Sequence, residues 1–510
     1  RRVCGCTARL LRPKHVCVCM HCVCTRPFMH ARHRCCAKGC RCTLSCPLAE
    51  LPCLPCVVRP LCRRSMHAVP GNYKARHGQG HFLARARPCC WLSQYPCPVS
   101  AVPITSTCCP ADGAVLSAGK GSTVALVSRA LSAAGYKVGV YTSPHLHHIG
   151  ERLAVLPPHV SSGFDGALPP AAFDALVREH EATLRGDQDG EGSGGGVLSH
   201  FEAVTALAFR HFADAGVDIA VVETGLGGTT DATNVIEAEQ LQVATITPIG
   251  LEHVDALGGT LRSIAAAKAG IMKAGVPVVL AAQPPGSDDP DSDVAGMLSA
   301  AAGRLGCAVT HACDAVAVTP RGYQLAADGQ ASFATALLPP SALCEHLSIQ
   351  SPPGGAAGAA GLSIEGLRCH LVGPHQHGNV ATAVATLLAL RARGWDVPDA
   401  AIAAGVEAAW LPCRFEVRPL RQRGGEAAAA AAAVRYAVLD GAHTAAAAEA
   451  LSRTLATAFP GVPVVLVLAM AEDKDIAGVV GALRSGLSRS LRAAVFTSAP
   501  VAGARTRSAP

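Results

Sequence analysis

The stretch FEAVTALAFRHFADAGVDIAVVETGLGGTTDATN, residues 201–234, contains the pattern that decides the fold. Residues 201–213 have the periodicity of a helix, and the apolar run VDIAVV at 217–222 predicts a short buried strand. Glu223 and a glycine-rich turn follow that strand. Because a helix beside a fully apolar strand is the repeating unit of a parallel sheet covered on both faces, this stretch predicts an α/β fold.

The same alternation continues on both sides of this stretch. Residues 122–134 predict another helix. Further short buried strands are predicted at 137–141, 241–246 and 276–280. A second alternating set lies between residues 436 and 496. The length of 510 residues suits more than one domain. We therefore predict two α/β domains, at residues 111–405 and 406–510.

Residues 1–110 differ in composition from the rest of the chain. They hold 17 of the 44 lysines and arginines, a single acidic residue (Glu50) and 19 of the 24 cysteines, for a charge of +16. The other 400 residues carry 27 basic and 36 acidic side chains, or −9, with five scattered cysteines. The main body is thus mildly acidic and of intracellular type, without a disulfide framework. The overall charge of +7 therefore does not indicate a nucleic-acid-binding protein.

Three interpretations of the basic segment remain open, and under all of them we predict that it is disordered. Its Arg-rich, acid-poor composition is typical of an organelle transit peptide, which leaves the mitochondrion or the cytoplasm as the location. The pairs Cys19/Cys22 and Cys53/Cys56 favour a metal or nucleic-acid module, but they are crowded by other cysteines and give no clean zinc set. The third interpretation is a translated non-coding stretch, because transit peptides are Ser-rich rather than Cys-rich.

The chain contains no sequence typical of a membrane span. Residues 462–471 form the longest strongly apolar run outside an alanine tract, well below the roughly 18 residues that a membrane helix needs. We therefore expect neither a membrane nor a nucleic acid as partner. Small-molecule substrates and a monomeric protein are the expectation.

The segment AGKGST at residues 118–123 predicts a phosphate-binding turn. A Gly-Lys-Gly-Ser turn that enters a helix directs backbone N–H groups at an anion, and the Lys120 ammonium adds a counter-charge. The full P-loop pattern has a glycine at position 114, where this chain has Ala114. The segment alone therefore fits both a phosphate site and an ordinary structural turn.

Polar side chains follow three neighbouring predicted strands. Ser143 lies in YTSPH, Glu223 ends VDIAVV, and His253 lies in GLEHVD. The carboxyl ends of parallel strands share one edge of a sheet, where open α/β sheets bind ligands. Oxygen ligands beside a phosphate loop suit Mg²⁺. The set predicts a metal–nucleotide site, whereas His253 taken alone also fits a partly buried structural histidine.

Nine motifs stand in the order found in one family. They are GKGST, YTSPH, FEAVTALAF, ETGLGGTTDATN, GLEHVDALGGTLRSIAAAKAGIMK, HQHGN, RFEV, LDGAHT and AMAEDKD. In this order they resemble the folylpolyglutamate synthase/dihydrofolate synthase family of the Mur ligase superfamily, over about residues 115–510. EHVDALGG, AAKAGIMK, DGAHT and AMAEDKD are most similar to plant-type dihydrofolate synthases.

The resemblance implies a fold, two cofactors and a metal site. The fold would be a P-loop-containing, Mur-ligase-like central domain with a parallel sheet, followed by a smaller, Rossmann-like C-terminal domain that is truncated here. The cofactors would be ATP and Mg²⁺, with Ser143, Glu223 and His253 as metal ligands. Lys268 matches a lysine that is carbamylated in the family and joins a second metal site. The alternative for Lys268 is an ordinary exposed helix lysine.

The resemblance also assigns the remaining site residues. Those that bind ATP would be Gly119, Lys120, Gly121, Ser122, Asn379, Arg414 and Asp440. Those that meet the pterin substrate would be Ser199, His200, Thr230, Asp231 and Ala232. The catalytic residues would be Lys120, Lys268 and His443, the last of which lies near the phosphates.

The activity implied is ATP-driven amide synthesis through an acyl phosphate, which would join L-glutamate to dihydropteroate in folate biosynthesis. One alternative is a folylpolyglutamate synthase, which adds glutamates to tetrahydrofolate. Another is a non-catalytic relative that binds nucleotide. That alternative is favoured by Leu116, which stands where the family's phosphate loop has a glycine that allows a tight turn.

Overall fold

A computed structural model describes residues 15–21, 100–105, 119–159, 166–185, 198–250, 257–284, 293–325, 341–353, 361–420, 435–471 and 474–497. The strands are β1 (His15–His21), β2 (Ser100–Thr105), β3 (Val138–Tyr141), β4 (Leu153–Leu156), β5 (Ile219–Glu223), β6 (Ala244–Ile246), β7 (Val278–Leu280), β8 (Val309–His311), β9 (Ala317–Leu325), β10 (Leu343–Ser351), β11 (Leu362–Cys369), β12 (Glu416–Leu420), β13 (Arg435–Asp440), β14 (Val464–Ala469) and β15 (Leu491–Phe496).

The α-helices are α1 (Lys120–Ala133), α2 (Pro170–Glu179), α3 (Glu181–Arg185), α4 (His200–Ala215), α5 (Leu261–Ala269), α6 (Val294–Arg304), α7 (Ala312–Ala315), α8 (Pro374–Ala392), α9 (Asp399–Ala408), α10 (Ala445–Ala458) and α11 (Ile476–Gly486). Two 3₁₀ helices lie at Ile149–Arg152 and Ala232–Val235.

The largest sheet has seven strands in the order β4-β3-β5-β2-β6-β7-β8, and only its edge strand β4 runs antiparallel to its neighbour. Both faces of β5 are buried. Ile219 and Val221 pack with residues of α1, α8 and α9, whereas Ala220 and Val222 pack with residues of α4, α5 and α6. This alternation explains why the strand is apolar throughout, as expected for a parallel sheet between two helical layers.

The structure contains two smaller sheets as well. Strands β11, β10 and β9 form an antiparallel sheet that packs on the α8 side of the large sheet. The second has the order β12-β13-β1-β14-β15, in which β12 is antiparallel to β13 and the other pairings are parallel. Together with α10 and α11 it encloses a third apolar core. We call this last unit the second lobe and the part built on the seven-stranded sheet the first lobe.

The predicted α/β fold with parallel sheets is confirmed, and the predicted strands and helices differ from the observed ones by a few residues at their ends. The disorder predicted for residues 1–110 needs a correction at two places, because residues 15–21 and 100–105 form β1 and β2. Strand β2 contains Pro103, which interrupts the apolar pattern and hides the strand from a periodicity search. The other residues of this segment lie outside the described residues, and so do Ala114 and Leu116. The predicted domain boundary at 405/406 stays a prediction.

No helix in the described ranges combines the length and the apolar character that crossing a bilayer requires.

Candidate active site

A cavity of about 330 Å³ lies where the two lobes meet. Its first-lobe wall comes from α1, the ends of β3 and β5 and the loop of residues 142–148, and its second-lobe wall from residues 410–414, 441 and 443. The lining therefore brings together Ser143, Glu223, Arg414 and His443. These four residues come from distant segments, and each was selected from the sequence as a site residue.

The predicted phosphate turn forms the start of α1. Gly119 caps the helix in a left-handed conformation, with φ of 62°. A Cβ atom at this position would lie 2.1 Å from Oδ1 of Asn379, which projects from the first turns of α8. Glycine is therefore required here twice, by the backbone angle and by the close approach of the asparagine. Asn379 is buried, and its amide donates to Gln376 at 2.8 Å.

Lys120 contacts the carboxyl end of β5. Its Nζ donates to the carbonyl oxygens of Thr224, at 2.8 Å, and Gly225, at 3.2 Å, and lies 3.7 Å from the carboxylate of Glu223. The backbone N–H of Ser143 donates to the other Glu223 oxygen at 3.3 Å. Lysine, serine and glutamate thus form one continuous polar cluster at the sheet edge, and their roles in a phosphate and metal site stay predictions.

Glu223 is buried, and burial raises the pKa of its carboxyl above the ordinary value, although the Lys120 ammonium acts in the opposite direction. A buried carboxylate whose negative charge is only partly balanced by a neighbouring cation is a good ligand for a metal ion. Ser143 and Glu223 therefore fit the oxygen ligands that Mg²⁺ prefers. The predicted third ligand, His253, lies outside the described residues. Among the residues that are described, no group of three His, Cys, Asp or Glu side chains has a metal-binding arrangement.

Arg414 lies on a loop of the second lobe, residues 410–415, that we call the Arg414 loop. Its neighbours Cys413 and Phe415 both adopt positive φ angles, 55° and 48°, which are uncommon for residues other than glycine. Hydrogen bonds hold this conformation. Phe415 N donates to Asp440 at 2.8 Å, and Gly441 N donates to the Cys413 carbonyl at 3.0 Å. Strained backbone of this kind is common at functional sites.

Asp440 ends β13 and organises this region with both carboxylate oxygens. One accepts from Phe415 N and the other from Ala442 N, each at 2.8 Å. Burial raises the pKa of the Asp440 carboxyl, and the Arg414 guanidinium opposes that shift. His443 follows two residues after Gly441, whose carbonyl lies 2.9 Å from its Nδ1. Asp440 thus fixes the loop that carries Arg414, and a direct contact of Asp440 with ATP stays a prediction.

Lys268 is fully buried near the end of α5, so the alternative of an ordinary exposed lysine is wrong. The glycine turn that follows β5 packs on the helix at this position. A Cβ atom on Gly228 would lie 2.5 Å from the Ala267 carbonyl and 3.0 Å from Lys268 Cα, and Thr229 N donates to the same carbonyl at 2.8 Å. The turn therefore connects Glu223 with the helix that carries Lys268.

The residues assigned to the pterin substrate do not line the cavity. Ser199 caps α4 through a reciprocal pair of hydrogen bonds with Glu202, and His200 beside it is exposed. Asp231 accepts from Leu226 N and from Thr233 N and holds the turn after β5, with exposed Thr230 and half-buried Ala232 as its neighbours. Capping roles account for Ser199 and Asp231, and substrate binding by the set stays a prediction.

Sequence reasoning missed several residues of the cavity wall. Glu151 accepts from the backbone N–H groups of Leu146, His147 and His148 at 2.7 to 2.8 Å and so closes the loop of residues 142–148. Arg152 donates to His145 at 3.0 Å. Burial lowers the pKa of His145, and the Arg152 guanidinium lowers it further. The sequence does show the adjacent charged pair Glu151-Arg152, but the contacts of these two side chains depend on how the loop folds.

Known proteins resemble this chain over 72% of its length. A "Dihydrofolate synthase/folylpolyglutamate synthase" of Mycobacterium tuberculosis is 34% identical over 379 residues, which are 72% of this chain and 66% of that protein. The Escherichia coli protein of the same name is 32% identical over 367 residues, 72% of this chain and 68% of the relative. The chain thus spans about two thirds of the length of these relatives. No family model matches it.

The fold is also similar to that of solved structures. One is described as E. coli FolC in complex with DHPP and ADP. It matches with a TM-score of 0.56 and 28% identity, covering 82% of this chain and 78% of the solved one.

Proposed function

Since this chain belongs to the dihydrofolate synthase/folylpolyglutamate synthase family of ATP-dependent carboxylate–amine ligases, we propose that it joins L-glutamate to the carboxylate of dihydropteroate. The observation that carries this proposal is the interlobe cavity, because it gathers Ser143, Glu223, Arg414 and His443 from both lobes. The likeness to plant-type enzymes stays a prediction.

The first lobe supplies the groups for phosphoryl transfer. A carboxylate is a poor acyl donor, so the γ-phosphoryl group of ATP is transferred to it first and forms an acyl phosphate. The N–H groups that begin α1, from Gly119 to Ser122, face the phosphates, and Lys120 balances their charge. Lys120 can reach them by exchanging the Thr224 and Gly225 carbonyls for phosphate oxygens, because its contacts are at the same sheet edge.

Mg²⁺, when bound, would neutralise charge on the phosphates, with Ser143 and Glu223 as ligands together with the predicted His253. The described part of this set fits the ion, since Ser143 and Glu223 already contact each other at the sheet edge. Lys268 is proposed as a carbamate. Its ammonium would first lose one proton, and the resulting amine would add to CO₂ and release a second proton, which would turn a buried cation into a buried carbamate anion.

The second lobe supplies Arg414 and His443, which face the reacting phosphate from the other side of the cavity. Asn379 and Asp440 complete the proposed nucleotide site. Once the acyl phosphate has formed, the α-amine of glutamate attacks its carbonyl carbon and inorganic phosphate leaves. Two lobes suit this sequence of steps, because their closure excludes water that would hydrolyse the intermediate.

A second candidate is polyglutamate extension, which both relatives' names include alongside dihydrofolate synthesis. The proposed pterin contacts, Ser199, His200 and residues 230–232, apply to both substrates. We propose that the protein works as a monomer in the mitochondrion or the cytoplasm, and the Arg-rich composition of residues 1–110 supports the mitochondrial alternative.

In the test, the purified protein is incubated with ATP, glutamate and either dihydropteroate or tetrahydrofolate. The product is followed by mass spectrometry. Dihydrofolate formation supports the proposal, and glutamylated tetrahydrofolate alone would replace it with the second candidate. ATP binding without either product would identify a non-catalytic relative. Complementation of a strain that lacks dihydrofolate synthase provides an independent readout.

A further inference from the structure

The loop of residues 142–148 contributes to one wall of the cavity, and five of its backbone N–H groups are engaged within the protein. Thr142 N donates to the Arg152 carbonyl at 3.2 Å, and Ser143 N donates to Glu223. Residue 144 is a proline and has no N–H group. The next three donors, from residues 146 to 148, all bind the carboxylate of Glu151. These five donors are therefore occupied, and the loop's side chains become the relevant donors for a ligand.

His145 is the side chain of this loop that can donate in a fixed direction. Arg152 donates from Nε to Nδ1 of the imidazole at 3.0 Å. A guanidinium has donors only, so Nδ1 must be the accepting nitrogen, and the ring proton is on Nε2. His145 lines the cavity, and within the described residues Arg152 is its hydrogen-bond partner. The Nε2–H group is thus left for a ligand.

The position of this donor indicates which ligand it serves. His145 is two residues from Ser143, on the first-lobe side of the cavity that Arg414 and His443 face from the second lobe. Since Ser143 and Glu223 are the proposed ligands of the ion that neutralises the phosphates, we expect the acceptor carboxylate to attack the γ-phosphoryl group on this side. A cationic donor would withdraw charge from the attacking oxygen, whereas a neutral N–H group orients it with less loss of nucleophilicity.

We propose that His145 donates a hydrogen bond from Nε2 to the carboxylate of the acceptor substrate, and that Arg152 acts as the positioning residue for this imidazole. This inference rests on the proposed ligase function. Glu151 contributes indirectly, because its three backbone hydrogen bonds fix the loop on which His145 lies.

The experiment compares His145→Ala, His145→Gln and Arg152→Leu with the wild-type protein in ligation assays with dihydropteroate, ATP and glutamate. Loss of a hydrogen bond to a charged group should raise the KM for dihydropteroate about tenfold or more in His145→Ala. The KM values for ATP and glutamate should stay within about twofold. His145→Gln keeps an N–H donor and should restore part of the loss, and Arg152→Leu should raise the same KM without changing the other two.

His147→Ala is the matched control, since this exposed imidazole belongs to the same loop and does not line the cavity. Its backbone donation to Glu151 survives the substitution, so all three KM values should equal those of the wild type. Thermal denaturation of each variant checks that the loop substitutions leave the fold intact.

Direct binding separates recognition from chemistry. Calorimetry with dihydropteroate, and with the same pterin lacking the carboxylate, should show that His145→Ala weakens only the first ligand. Equal weakening of both, or an unchanged KM for dihydropteroate in an active enzyme, would overturn the role of His145 and leave the ligase proposal standing. A wild-type protein that forms no product would overturn the ligase proposal and this inference with it.

Discussion

The two walls of the interlobe cavity are built in different ways. Behind the first-lobe wall, the buried Glu223 carboxylate contacts the Lys120 ammonium and accepts from the Ser143 backbone N–H at the ends of parallel strands. On the second-lobe wall, Arg414 is held by the backbone of its loop, with positive φ angles on both sides and a hydrogen bond from Phe415 N to Asp440. One wall is organised by charge and the other by conformation.

This difference has consequences for function and for stability. Side chains such as Lys120 can exchange protein acceptors for phosphate oxygens without any change in the backbone. The first wall can therefore bind and release a charged ligand such as phosphate. The end of the Arg414 loop is fixed to the end of β13, because Asp440 accepts from both Phe415 N and Ala442 N. We therefore expect substitutions on the first wall to affect activity first, and substitutions on the second wall to affect stability and activity together.

The largest expected effect is that of Lys120→Ala on the first wall. Removal of one charged donor from a developing transition state should lower kcat by about 100- to 1000-fold, with little change in Tm. Steady-state assays and thermal denaturation measure the two quantities. Lys273→Ala serves as control and should keep full activity, since this lysine lies outside both the cavity lining and the Lys120–Glu223 cluster. Undiminished turnover of Lys120→Ala would contradict the assigned role.

Asp440→Ala tests the second wall. It leaves the N–H groups of Phe415 and Ala442 without their acceptor, and the free energy of unfolding should fall by about 2 kcal/mol or more. The KM for ATP should rise in the same variant, because the Arg414 loop loses its support. Urea denaturation and kinetics check both effects.

Asp475→Ala removes a comparable hydrogen bond in the same lobe, the cap of α11 that accepts from Gly478 N at 2.9 Å. This substitution should lower the free energy of unfolding by about 1 kcal/mol and leave the KM for ATP unchanged. An equal KM effect in both variants would show that the Asp440 contacts have no special role.

His375, at the start of α8, gives a predicted pH dependence to the small pocket that it lines together with Arg414 and Asp440. Burial lowers the pKa of His375 to about 3, and His377, Arg414 and Arg453 add to the shift, while Asp440 lines the same small pocket. Below the unfolded-state value of 6.5 only the unfolded chain takes up this proton. Stability should therefore fall as the pH decreases from 6.5 towards 3, by up to about 1.4 kcal/mol per pH unit. In His375→Gln this part of the slope should disappear from urea titrations, and an unchanged slope would assign it to other groups.

The smallest expected effect is that of Cys413→Gly. The left-handed conformation costs a residue with a side chain about 1–2 kcal/mol, whereas glycine adds about 0.5–1 kcal/mol of backbone entropy on unfolding. The free energy of unfolding should therefore rise by about 0 to 1.5 kcal/mol. Cys413→Ala keeps the strained backbone and loses the thiol, so a gain in that variant would point to the thiol instead.

Sequence reasoning anticipated some features of this comparison better than others. The apolar strands, the glycine at 119 and the polar residues at strand ends follow local rules of periodicity and backbone geometry, and the structure places Ser143 and Glu223 together as expected. The burial of Lys268, the loop role of Asp440 and the Arg152–His145 contact were not anticipated. Each depends on which distant segments become neighbours, and no local pattern encodes that.

The amino-acid sequence by itself determined the alternation of helices and buried strands, and the order of the motifs that indicates the family, because periodicity and turn chemistry act over a few residues. Only the tertiary structure decided that Lys120 meets Glu223 across 103 positions, and that residues 410–414 close the cavity over α1. Strand order and the packing of the lobes set those distances, and both arise from the sum of many weak contacts rather than from any single segment.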